Sequence, residues 1–307
     1  MQMTDGTARP VTGVLWMLAS GLAFVAVNGS VRHLGTDLPA TQSAFLRFAF
    51  GALYLAPALL TCLRRGLPAG SLPLFAGRAA AHVVAVILWF HAMARLPLAE
   101  VTGIGYLSPV LVTLGAALFF GERLALRRLG AVLVAIVGAL VILRPGLREV
   151  TPAHFAQIGA ATGFATSYLF AKRLGQLASP ETVVAVMSAS VALGLLPLAV
   201  AVWVPVTLLQ LGWFALIAAF ATLAHYAMMR AFAAAPLAVT QPVTFLQLIW
   251  ATLLGRLVFS EPVDPWVLAG GTLIIAAVCY ITLREAQLQR RAARLVLPPA
   301  PRGRPVR

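Results

Sequence analysis

The sequence predicts an all-α integral membrane protein of ten transmembrane helices, built as two inverted five-helix repeats. Three observations predict it. The first is composition: 61% of the 307 residues are hydrophobic and 10% are charged, against about 25% charged in soluble domains. So few charges cannot cover a water-facing surface, so the surrounding medium is lipid. The second is length. Ten apolar runs approach the roughly 20 residues a helix needs to cross the hydrocarbon. The third is repetition. Sliding Pro97-Leu98-Ala99 forward by 139 positions lays it on Pro236-Leu237-Ala238, and the same shift lays Thr113 on Thr252, Phe120 on Phe259 and Glu122 on Glu261. Leu and Ala matches come cheaply in an apolar chain, so the Pro, Thr and Glu matches carry the weight. Paired halves of this kind mark transporters whose substrate lies between the repeats.

In chain order the runs are 11–31, 41–61, 76–95, 99–120, 127–144, 154–172, 182–204, 211–230, 236–258 and 266–283. The breaks carry turn chemistry: Gly35-Thr36-Asp37-Leu38-Pro39, Arg64-Arg65-Gly66-Leu67-Pro68, Arg144-Pro145-Gly146, Ser179-Pro180-Glu181 and Glu261-Pro262-Val263-Asp264-Pro265. The link at Leu96-Pro97 is so short that spans three and four form an antiparallel pair. The expected organisation is an N-terminal segment 1–10, a first repeat 11–146, a second repeat 154–283 and a basic, Pro-rich tail 284–307 that reads as disordered.

Orientation follows from the basic residues. With both termini in the cytoplasm, 17 of the 23 Lys and Arg fall inside and 5 outside, with Arg47 within a span. Arg64, Arg65 and Arg78 count here as cytoplasmic-side residues. Five spans per half is an odd number, so the halves cross in opposite directions and the repeat is inverted. Span one aligns with span six, Phe24 on Phe164 and Arg32 on Lys172. The net charge of +14 would point to nucleic acid in a soluble protein. Here the charges lie in short loops and the tail, where they set topology and meet headgroups, so no nucleic-acid partner is expected. Cys62 and Cys279 form no CxxC, and no HExxH occurs. No metal or cofactor is expected.

The residues then resemble a known family. Arg47-Phe48, the run Trp89-Phe90-His91-Ala92-Met93-Ala94-Arg95-Leu96-Pro97-Leu98-Ala99-Glu100 and Leu118-Phe119-Phe120-Gly121-Glu122-Arg123 are similar to the first EamA-type repeat of the drug/metabolite transporter superfamily. His225-Tyr226-Ala227-Met228-Met229-Arg230, Ala235-Pro236-Leu237-Ala238 and Leu257-Val258-Phe259-Ser260-Glu261 resemble the second. The resemblance covers residues 11 to 283. It implies a central cavity lined by spans one, three, four, six, eight and nine, with five and ten set back. Ser260 stands where Gly is usual before the second Glu.

Apart from Arg47 in span two and Thr272 and Tyr280 in span ten, the polar and aromatic residues singled out within the spans fall on those six helices. Intramembrane polar groups are costly and face protein or a cavity. The expected substrate-binding set is Trp16, Asn28, Arg47, His82, Trp89, Tyr106, Tyr168, Tyr226, Gln241, Gln247 and Trp250. Two roles are open for Arg47: a hook for a substrate carboxylate or phosphate, or a structural arginine bonded to helix carbonyls. His82 and His225 are proton carriers in one reading and bonded bundle residues in the other. Ser20, Thr113, Thr222 and Thr252 read first as packing groups, Trp203, Trp213 and Trp266 as interfacial anchors. Glu122 and Glu261 read as ties for helix ends. No Asp or Glu lies deep in a span, which favours facilitated exchange, or a weak and unconventional proton coupling.

The expected function is transport of a small metabolite by alternating access, with binding at mid-membrane. Export of an amino-acid-like or drug-like compound comes first. Uptake of a vitamin or nucleoside-type compound, flavin-like or S-adenosylmethionine-like, is the alternative. An intramembrane enzyme is the remote rival, and the chain offers it no GxSxG. The expected setting is a bacterial inner membrane. The expected partners are a small-molecule substrate and the lipid bilayer, with the protein a monomer or homodimer.

Overall fold

The computed structural model describes residues 10–120, 126–147, 149–235, 240 and 243–296. Those residues form twelve helices: α1 (Pro10–Leu34), α2 (Ala40–Tyr54), α3 (Ala56–Arg65), α4 (Leu72–Met93), α5 (Leu98–Gly105), α6 (Leu107–Phe120), α7 (Leu126–Leu143), α8 (Pro152–Leu174), α9 (Pro180–Ala201), α10 (Leu208–Ala234), α11 (Leu246–Val258) and α12 (Pro265–Val296). Five segments are single, apolar and long enough to cross a membrane, within α1, α4, α9, α10 and α12. Helices α2 and α3 make a sixth crossing, bent by 71°.

Three of the expected continuous spans are broken. Span two turns between Tyr54 and Ala56 because Pro57 has no N–H for the Leu53 carbonyl and its ring crowds that turn. Span four breaks at Tyr106, where Pro109 cannot bond the Gly105 carbonyl and the chain tightens into a Tyr106 N–H to Gly103 O bond of 3.3 Å. Span nine breaks at the matching residue, Phe245, one position before α11. Leu248 stands there in place of Pro109. Proline explains the break in span four and not the matching one in span nine, so packing selects this point in both halves.

Helix packing follows a two-fold. The most extensive contacts are α1 on α10 and α4 on α8, with α7 on α12 and α2 on α9. Exchanging the halves turns the first of these pairs into the second and maps each of the last two onto itself. The lesser contacts obey the same rule: α6 on α8 mirrors α11 on α1, and α10 on α2 mirrors α4 on α9. These are two inverted five-helix units sharing a pseudo-axis.

Lipid tails supply no hydrophobic force between helices, so close packing of small residues and interhelical hydrogen bonds hold the bundle. Ala224, Ala227 and Ala231 are fully buried along α10, and Ser20 donates to the Ala224 carbonyl at 2.9 Å. A Cβ on Gly163 of α8 would stand 2.8 Å from Cβ of Ala85 on α4. Where α7 crosses α12, a Cβ on Gly138 would lie 2.7 Å from the Gly270 carbonyl. Thr222 and Thr252 donate to carbonyls four residues back, Ala218 and Leu248. Trp203 and Trp266 are 46% and 55% exposed at helix ends.

Two boundaries also differ from expectation. Helix α4 opens at Leu72 behind Ser71, with Pro73 in its first turn. Arg78, counted above with the cytoplasmic-side residues although within the run 76–95, thus lies nearly two turns inside the helix and is 7% exposed. Helix α12 continues to Val296, so the first half of the basic tail is helical rather than disordered.

Candidate substrate site

The helix termini divide the bundle into a terminal face, where α1 begins, and an opposite face. Acid–base pairs knit the opposite face. Arg32 Nε donates to Glu261 Oε1 at 3.0 Å, and its second guanidinium nitrogen donates to the Ala94 carbonyl at 2.8 Å. Glu261 Oε2 accepts from the Leu98 N–H at 2.9 Å. One carboxylate thus ties α1, the α4–α5 hairpin and the end of α11, the role expected of it. Its helix ends through Ser260 at φ +54°, a left-handed conformation in which Gly carries no Cβ penalty. Glu122 lies outside the described residues.

A second pair joins α5 to α8. His154 Nε2 and Glu100 Oε1 are 2.7 Å apart, with Glu100 2% and His154 4% exposed. His154 Nδ1 accepts from the Thr151 N–H at 3.0 Å, so the proton of the neutral ring lies on Nε2 and points at Glu100. A third pair, Arg144 with Asp264, joins the ends of α7 and α12. A small cleft of about 90 Å³ at this face is lined by Thr36, Ser43, His91 and Arg95 among others. That is space for a few waters, not for a metabolite.

The centre of the bundle is basic. Arg47 comes from α2, Arg78 and His82 from one face of α4, and His225 from α10. Both arginines lie within electrostatic reach of both histidines, and His82 of His225. His82 Nδ1 is 3.1 Å from Ser167 Oγ on α8. The adjacent Tyr168 lies within reach of Arg78. Aromatic rings wall the cluster: Phe48 and Phe164 meet His82 edge-on at 5.5 and 5.1 Å, and Phe24 meets His225 at 5.2 Å. The Arg47 guanidinium stacks 3.8 Å above the Phe48 ring centroid. Tyr168 is 44% exposed.

Of the expected site residues, Arg47, His82 and Tyr168 meet here. Trp16 and Tyr226 form a second group, with rings 6.1 Å apart at 90°. Arg230 lies over Trp16 at 5.3 Å and donates to the Tyr226 hydroxyl at 2.9 Å. Trp89 packs on the hydrophobic core beside Phe90. Tyr106 is buried at the break in span four. Asn28, Gln247 and Trp250 are half-buried on α1 and α11, with Gln247 opposite Gly21. Gln241 lies outside the described residues. Arg78 and His225 are absent from the expected set. Arg78 is placed four residues before His82, a spacing that puts both on one helix face.

The chain matches known proteins over nearly its whole length. The EamA-like transporter family matches it twice, over residues 11–144 and 151–283. A riboflavin transporter of Vibrio cholerae is 31% identical, over 92% of this chain and 97% of its own. A riboflavin transporter of Rhizobium johnstonii is 30% identical, over 93% and 96%. A pseudopaline exporter of Pseudomonas aeruginosa is 27% identical, over 87% and 94%. The chain is a member of the EamA-like transporter family, within the drug/metabolite transporter superfamily.

Proposed function

We propose that the protein is a carrier for a planar, polar heteroaromatic metabolite, with riboflavin the first compound to test. The observation that carries this reading is the pairing of aromatic rings with polar groups at mid-membrane: Phe48 and Phe164 edge-on to His82, and the polar pair His82–Ser167. Aromatic walls with a few convergent polar groups suit a flat ring that carries hydrogen-bonding edges. Two near-full-length relatives named for riboflavin support the choice. The acid–base pairs at the opposite face support a carrier closed on that side, alternating by movement of one repeat against the other. The expected set contributes Arg47, His82 and Tyr168 to this site. Trp16 and Tyr226 line the path towards the terminal face.

The test is counterflow of labelled riboflavin in proteoliposomes. Trans-stimulated uptake that saturates supports the reading. Flux no greater than in protein-free vesicles, with active transport of some unrelated solute, overturns it. A second reading, export of an amino-acid-like solute, is favoured by the relative named for pseudopaline. Counterflow of labelled amino acids in the same vesicles separates the two.

A further inference from the structure

We infer that the central cluster is an anion subsite, and that the preferred cargo carries an oxyanion, a carboxylate or a phosphate. This rests on the carrier reading above and adds the charge of the cargo.

Two guanidinium groups from different helices lie within electrostatic reach of the same two histidines. An arginine in a transmembrane helix is costly to insert, so it requires a partner. Among the described residues neither Arg47 nor Arg78 has a carboxylate partner. Glu100, Glu261 and Asp264 are engaged at the opposite face. Arg78 is 7% exposed. It makes one bond, to the Val183 carbonyl at 3.3 Å, and its Nε is buried with no acceptor. Arg47 stacks on the ring of Phe48 and has no hydrogen bond among the described residues. A guanidinium presents five N–H donors in a fixed fork, and most of these are unused.

The histidines add no negative charge. His82 bonds Ser167 through Nδ1 and His225 bonds the Ala221 carbonyl through Nδ1 at 2.7 Å, which leaves Nε2 of each outside those bonds. Two desolvated cations and two imidazoles without an acid make a site whose missing component is negative. The guanidinium fork matches the paired oxygens of a carboxylate or phosphate. The surrounding Phe48, Phe164 and Tyr168 would hold the apolar remainder of the same molecule.

The test compares riboflavin with riboflavin 5′-phosphate, which differ by one phosphate group, and adds citrate and inorganic phosphate as ring-free probes. Affinities come from inhibition of counterflow and from thermal stabilisation of the purified protein. The phosphate ester is expected to bind at least ten-fold more tightly than riboflavin. That ratio is expected to fall towards one in Arg47→Gln and Arg78→Gln and to persist in Arg78→Lys. Arg95→Gln, an exposed arginine at the opposite face, leaves it unchanged. If one Gln variant does not fold, the other carries the test. Equal affinity for both flavins, or a ratio untouched by both Gln substitutions, overturns the subsite. If neither flavin binds, the flavin reading alone has failed. Citrate or phosphate stabilisation that both Gln variants lose then sustains the subsite, and its absence overturns it.

Discussion

The ring of Tyr106 meets the ring of Phe245 edge-on, 5.2 Å between centroids and 88° between planes. The Tyr106 hydroxyl donates to the carbonyls of Thr244 and Phe245, both at 3.4 Å. These residues are equivalent under the 139-residue shift, and each is the point at which its own span breaks. The two discontinuities of the protein therefore face each other across the pseudo-axis.

Removing this contact is expected to be costly. Phe245→Ala should destabilise the protein by about 3 kcal/mol, the usual cost of emptying a large buried aromatic site. Tyr106→Phe keeps the rings and loses only two long hydrogen bonds, for about 0.5–1 kcal/mol. Thermal or denaturant unfolding in detergent reads both. Similar losses from the two substitutions would show that ring packing contributes no more than the hydroxyl.

At the opposite face, Glu261 serves two helical elements and Arg32 two others. Arg32→Gln and Glu261→Gln should each lower stability, and the double variant should lose less than their sum. A coupling of about 1 kcal/mol is expected for a pair that is partly open to solvent. A double-mutant cycle on unfolding free energies measures it. Purely additive losses would show that the ion pair does not couple these helices.

The residue before that glutamate offers a gain. Ser260 holds φ +54°, a conformation that costs an L-residue roughly 1–2 kcal/mol. Ser260→Gly relieves the strain and gives back part of it as unfolded-chain entropy. The net expectation is a stabilisation of about 0.5–1 kcal/mol, seen as a higher melting temperature with the transport rate retained.

Glycine has opposite meanings at two points of the chain. A Cβ at Gly138 strikes the backbone of α12, whereas a Cβ at Gly130 on the same helix meets nothing within 4 Å. Gly138→Leu should separate α7 from α12 and reduce folded yield sharply. Gly130→Ala should be neutral or stabilise by up to about 1 kcal/mol. Fluorescence-detected size exclusion of the two variants, run side by side, checks the contrast.

Ten apolar runs, a shifted pair of Pro and Glu residues and an odd span number suffice to read the fold, because lipid imposes both the length and the polarity of each element. The breaks are legible only in part. Pro57 and Pro109 announce two of them. Phe245 has no local breaker of that kind and is set by its contact with Tyr106. The site is legible as a set of helices more than as residues. Arg47, His82 and Tyr168 stand out as polar groups in apolar runs. Arg78 is hidden because it lies near the start of α4, where basic residues usually mark a loop. His154 is hidden because its meaning depends on Glu100, 54 positions away. Trp89 and Tyr106, chosen for the same aromatic character as Tyr168, turn into core packing, a distinction that lies in rotation about the helix axis.

The arginines at the centre have one further consequence. A fixed cation in the hydrocarbon layer experiences the transmembrane voltage, worth about 2.3 kcal/mol per elementary charge for each 100 mV traversed. If the repeats rock as proposed and Arg47 and Arg78 shift along the membrane normal, the vacant protein would itself be an electrical element. Its return stroke would draw on the membrane potential, and a negatively charged passenger would silence that current by travelling with it.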